Sequence, residues 1–302
     1  MTRTKTLLFA LALGVQVPLA SAKITYAVGT CEPKFPSYPT ISAAVGATPP
    51  PNVVEVCPGT YNEQVVITTA MTVEGISLNN STQAIIAVPS GGLVNNTGEG
   101  AVQLLVQNVS GEVNVSNLTV DAAGNNTGLP IGVMFQNSSG TMSHLTVQNQ
   151  SGSGFGIGVF LEGGSANPSV TLENSNVQAF DDEGMVAETN SSTSELTATI
   201  TGNQLTALPN SISTGIDLVG GLTATVSGNL ITVGSGTGVA IDGGHGSVSK
   251  NTVLNTPAGI EGMFRYAGRD RATPRPEGFE ISPARMAEGA DKFGQVILGP
   301  PR

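Results

Sequence analysis

Apolar positions along this chain alternate with polar ones in short bursts, with no recurrence every three or four residues. One unit reads apolar-x-apolar-x-x-x-x-apolar, as in the stretches 113–120, 198–205, 224–231 and, without its first position, 248–253. Its closing apolar residue falls at Val120, Val147, Val177, Leu205, Ile231 and Val253, with spacings of 27, 30, 28, 26 and 22 residues. A second unit is a glycine followed by two apolar residues separated by one other. It falls at Gly132, Gly158, Gly184, Gly215, Gly238 and Gly259, with spacings of 26, 26, 31, 23 and 21. The two markers advance together, so the period belongs to the architecture. A unit of this length cannot bury its own apolar face, whereas stacked copies bury a continuous core. Alternation with period two makes the elements strands. Short strands stacked in register predict an all-β parallel β-helix over residues 53–262, of roughly eight coils about 4.8 Å apart.

The turns fit that reading. Asn203, Asn229 and Asn251 share one register, and Asn both tolerates left-handed backbone angles and forms amide ladders between stacked copies. A stack exposes strand edges at its ends, so caps are expected. Within residues 23–52, Thr40 to Gly46 reads as a short capping helix, with Thr40 near its start and Gly46 at its stop.

Residues 1–22 form a separate segment. Arg3 and Lys5 precede an apolar run from Leu7 to Leu19, and Ala20-Ser21-Ala22 has the small-x-small form of a cleavage site. This predicts a secretory signal and a location outside the cytosol, with no membrane span once it is removed. The chain has two cysteines, Cys31 and Cys57, and export makes a disulfide between them the expected state.

Charge narrows the function classes. The chain carries 12 Lys and Arg against 22 Asp and Glu, a net charge of -10. Between Phe35 and Phe264 the sole basic residue is Lys250, against 16 acids from Glu55 to Glu261. Such a body repels nucleic acid and anionic membranes. Polysaccharide or cell-surface partners remain open. Residues 263–302 hold seven of the basic residues, lose the alternation and form a distinct basic tail.

The order Tyr38-Pro39-Thr40-Ile41-Ser42-Ala43-Ala44-Val45, then residues 53–67, then Met71 to Ile76, resembles the opening of the pectin lyase-like superfamily. The resemblance implies a right-handed parallel β-helix. Its enzymes act on pectic polysaccharides, but their motifs do not transfer. The esterases' Gln-Asp pair, GTVDFIFG-like segment and later Arg are missing, as is the lyases' catalytic Arg. Asp181-Asp182 and Gly244-His245-Gly246 echo the polygalacturonases, yet lie 63 residues apart and are not followed by Arg-x-Lys. His245 and His144 are therefore read as turn or strand positions.

Register yields the candidate site. If the first and third residues after each repeat glycine point inward, the second and fourth point outward. The fourth column reads Gln136, Glu162, Glu188, Val219 and Asp242; the second includes Met134, Phe160, Val186 and Asp217. Glu162 and Glu188 should be neighbours on adjacent coils, with Asp181, Asp182 and Glu183 at the start of the same strand. Three readings stay open. The acids form a solvated face that keeps the rod soluble and presents an acidic surface to a glycan, a cell surface or cations. Asp181, Asp182 and Glu188 hold Ca²⁺. Or Glu162, Glu188 and Asp182 cleave a polysaccharide, with Phe160 as the stacking platform. The first reading, a secreted non-catalytic protein, leads; the polysaccharide-active enzyme is its rival.

Overall fold

The computed structural model describes residues 23–255, apart from 79–82, 126–127, 153–154, 190–194 and 235. The expected leader, the basic tail and the last glycine marker, Gly259, lie outside the described residues.

The chain winds through three parallel sheets in a fixed rotation, and the result is a right-handed β-solenoid of about eight turns. A typical coil begins at Glu112–Ser116 in the ten-stranded sheet, continues through Leu118–Asp121 in the eight-stranded sheet and ends with Pro130–Gln136 in the seven-stranded sheet. The ladders between the repeat strands are parallel and join one coil to the next. The ten-stranded sheet starts earlier than the repeats do: Thr25–Val28 pairs with Val53–Val56, so part of the segment read as a cap is already wall. The helix forms at Ile41–Val45, with Thr40 as N-cap accepting from the Ala43 N–H and Gly46 as C-cap. The Glu63 carboxylate adds two bonds at its start, from the Ile41 and Ser42 N–H groups at 2.8 and 2.9 Å. Cys31 and Cys57 form the expected disulfide.

The period-two alternation fills the interior. Val133 and Phe135, Val159 and Leu161, and Met185 and Ala187 are fully buried, stacking coil on coil. Removing this apolar area from water is the main stabilising term. In the seven-stranded sheet the alternation breaks once per coil. Ile131 belongs to an outer apolar cluster and Val133 to the central core, although they are two positions apart and simple alternation would put them on one face. Gly132 supplies the extra residue. A Cβ there would lie 2.3 Å from Val147 across the core and 2.7 Å from the Gly158 carbonyl. Gly158, Gly184, Gly215 and Gly238 repeat the arrangement, so the glycine marker records a close approach between sheets.

The asparagine ladder forms as expected at the turns leading into the eight-stranded sheet. Asn203, Asn229 and Asn251 are buried, and each of the first two donates its Nδ2 to the next residue's Oδ1, at 3.0 and 2.8 Å. The left-handed angle sits one residue earlier than expected, at Asn117, His144, Asn174, Gly202, Gly228 and Lys250. The ladder Asn is held by its side-chain bonds, and its neighbour makes the turn. This accounts for His144 and for Lys250, the one basic residue of the repeats.

Candidate functional site

The outward face of the seven-stranded sheet divides into three columns because of the extra glycine. The first runs Val102, Ile131, Ile157, Glu183, Thr214 and Thr237. The second runs Leu105, Met134, Phe160, Val186, Asp217 and Ala240. The third runs Gln107, Gln136, Glu162, Glu188, Val219 and Asp242. The face changes character along the rod. Toward the N-terminus, Val102, Leu105, Ile131, Met134, Ile157, Phe160 and Val186 form a second apolar cluster, with Leu129 packed against it. The preceding loop is tied over this end by the reciprocal bonds of Asn96 with the Val102 N–H and C=O. Beyond Phe160 the same columns turn acidic, at Glu183 and Asp217, with Glu188 on the same strand as Glu183.

Glu183 and Asp217 sit on adjacent strands, Glu183–Glu188 and Thr214–Val219, and their side chains are hydrogen-bonded. Burial pushes the Glu183 carboxyl up to about 8, reinforced by the charges of Asp182 and Asp217, the hydrogen bond to Asp217 and the charge of Glu188. Glu183 is therefore largely protonated at neutral pH and is the partner able to donate. Asp182 is also raised, first by burial and then by the charges of Asp181 and Asp217. Desolvation and like charge together produce such shifts, and carboxyls perturbed in this way mark functional sites more often than other surface acids do.

The residues expected from the sequence have different fates. Glu162 and Glu188 are direct neighbours in the ladder, as expected. Glu162 ends an amide chain: Gln107 donates to Gln136 at 2.6 Å, and Gln136 donates to Glu162 at 2.6 Å. Asp182 belongs to the acidic cluster. Its neighbour Asp181 instead anchors a loop, its two oxygens accepting the Gly152 and Gly156 N–H groups at 3.1 and 2.6 Å. The expected Ca²⁺ set of Asp181, Asp182 and Glu188 does not converge: among the described residues no group of three or more His, Cys, Asp or Glu is arranged to hold a metal ion. Phe160 faces outward but is only 2% exposed, because the apolar cluster encloses it, so it offers no platform. His245 lies in the ten-stranded sheet, paired with Thr223, on a different wall from Asp182. A shallow depression of about 400 Å³ also lies away from the acids, at the turns carrying His144, Asn174 and Gly202.

Sequence reasoning placed Glu183 at the start of its strand and missed its role. Counting the repeat glycine as an inserted residue puts position 183 in the outward column of Ile131 and Ile157. A glutamate below two isoleucines was the available signal.

No protein-family model matches the chain, and no curated protein matches it in sequence. Among solved structures, YbhC from Escherichia coli is similar over 82% of this chain and 87% of its own, at 11% identity and a TM-score of 0.48. Pectin methylesterase PemA from Erwinia chrysanthemi is similar over 93% of this chain and 100% of its own, at 11% identity and a TM-score of 0.37. The tailspike gp49 of Acinetobacter baumannii bacteriophage Fri1, a capsular polysaccharide depolymerase, is similar over 69% of this chain and 42% of its own, at 12% identity and a TM-score of 0.35. At such identities these are likenesses of fold. In architecture, as its three-sheet winding shows, this chain is a right-handed parallel β-helix.

Proposed function

We propose that the acidic outward face of the seven-stranded sheet cleaves glycosidic bonds of an extracellular polysaccharide. The arrangement that supports this reading is the placing of Glu183 and Asp217 on adjacent strands of one face beside Asp182, where burial and like charge raise the Glu183 carboxyl. Glycosidic cleavage needs a carboxylic acid that protonates the leaving oxygen and a carboxylate that faces the positive charge developing on the sugar. Glu183 is the proton donor. Asp217 holds that proton in place before reaction, and Asp182 and Glu188 supply negative charge to the sugar side. Glu162 borders the site, buttressed by its amide chain. The disulfide fits a chain that works outside the cytosol.

The test is turnover of a panel of neutral and acidic polysaccharides, read as new reducing ends between pH 5 and 9. Removing a general acid costs about 10²–10⁴-fold, so Glu183→Gln should lose at least about 100-fold. Turnover unchanged by that substitution defeats the assignment. A second reading, a non-catalytic acidic surface, is favoured by the commitment of Asp181 and Glu162 to partners within the protein. It requires glycan binding with no cleavage of any member of the panel.

A further inference from the structure

Phe155 is 60% exposed and is the sole exposed Phe or Tyr side chain among the described residues. Gly152 and Gly156, on either side of it, are tied down. Its own N–H donates to the Gly152 carbonyl at 3.1 Å, and the Gly152 and Gly156 N–H groups both donate to Asp181. The Gly156 carbonyl accepts from the N–H groups of Asp182 and Glu183, both at 3.3 Å. An aromatic ring left in water gains nothing from burial, yet five hydrogen bonds hold its segment. Two residues further on, Ile157 pairs with Glu183 in the ladder. The ring's segment is thus fastened to the coil that carries Asp182 and Glu183.

The charge around it selects among glycans. The basic side chains among the described residues are Lys23, Lys34 and Lys250. Lys34 is paired with Glu32 at 3.1 Å in the N-terminal segment, and Lys250 occupies a turn between the other two sheets. Among the described residues the seven-stranded sheet therefore presents no Lys or Arg to a uronic acid, while Asp182, Glu188 and Asp242 repel one.

We infer that Phe155 is the stacking platform for a sugar ring at this face, and that the glycan it receives carries no acidic groups. The inference rests on the polysaccharide-cleaving reading for the position of the reaction but is tested through binding. An exposed ring presents an apolar face to the C–H side of a pyranose, and flat stacking of this kind needs no charge. Neutral and amino-substituted glycans share that chemistry, and the probes separate them.

The experiment is calorimetric titration of Glu183→Gln, Phe155→Ala/Glu183→Gln and Phe155→Trp/Glu183→Gln. The probes are xylohexaose, cellohexaose and mannohexaose, a chitosan hexamer, and hexagalacturonate. We expect a neutral or aminated hexamer to bind, Phe155→Ala to weaken it about tenfold or more, Phe155→Trp to preserve it, and hexagalacturonate not to bind. Unchanged melting temperatures are expected, since the ring is exposed. Equal affinity with Ala at 155, preferred binding of hexagalacturonate, or no binding of any hexamer overturns the inference. The two readings fail separately. Phe155-dependent binding without turnover by the wild type defeats the enzymatic reading alone. Glu183-dependent turnover with a KM unmoved by Phe155→Ala defeats the platform alone.

Discussion

Replacing Glu183 by Gln tests the central electrostatic claim without any substrate. In the folded protein the carboxyl is pushed from 4.5 to about 8, whereas the unfolded chain keeps the ordinary value. Between those values the folded state binds more protons than the unfolded state, so stability falls as pH rises. The contribution is fully present below about pH 4.5, is lost progressively as pH climbs, and levels off above about pH 8. A shift of this size sets a ceiling of about 5 kcal/mol. Partial solvent exposure of the side chain reduces the expected loss to about 2 kcal/mol. Gln has the shape of the protonated acid and still donates to Asp217, so the variant should keep the low-pH stability across the range. Urea unfolding of both proteins at half-unit steps from pH 4.5 to 9 measures the difference between the two curves, in which all other acids cancel. The variant should match the wild type near pH 5 and exceed it by about 2 kcal/mol near pH 9. Parallel curves, or a wild type that gains on the variant with rising pH, would show that Glu183 titrates as an ordinary surface acid. The proton donor would then be lost with it.

Two further substitutions probe the scaffold. Asn229→Ala removes the acceptor of the Asn203 N–H and Nδ2 groups, at 2.9 and 3.0 Å, and should cost about 2–4 kcal/mol in urea unfolding. Asn229→Ser should recover part of this, because Ser175 occupies the same column and its Oγ accepts the Leu145 N–H at 3.1 Å; no recovery would show that the amide's second bond carries the effect. Gly215→Ala places a Cβ 2.3 Å from Ile231 and 2.5 Å from the Gly238 carbonyl, and should cost at least about 2 kcal/mol. A melting temperature unchanged by that alanine would refute the close approach between sheets.

The sequence by itself determined the wall of this protein. Strand pairing between coils follows from a period-two pattern and a repeat length, because both are properties of consecutive residues. That is why the inward columns at Val133, Val159 and Met185, the Glu162–Glu188 contact, the Asn203–Asn229–Asn251 ladder and the Thr40-capped helix were all legible. Tertiary structure decided which outward residues meet solvent. Phe160 and Glu183 are both outward, yet an apolar cluster closes over the first, while the second stands half-buried against Asp217. Facing outward from a strand is local. Being covered depends on the side chains of neighbouring coils, which a strand's own periodicity does not encode. The inserted glycine also shifted the columns by one residue, placing Glu183 in a column where simple alternation did not look for it. The acid pair and the exposed ring at Phe155 thus arise from contacts between residues roughly 30 positions apart, which the sequence lists in order but does not bring together.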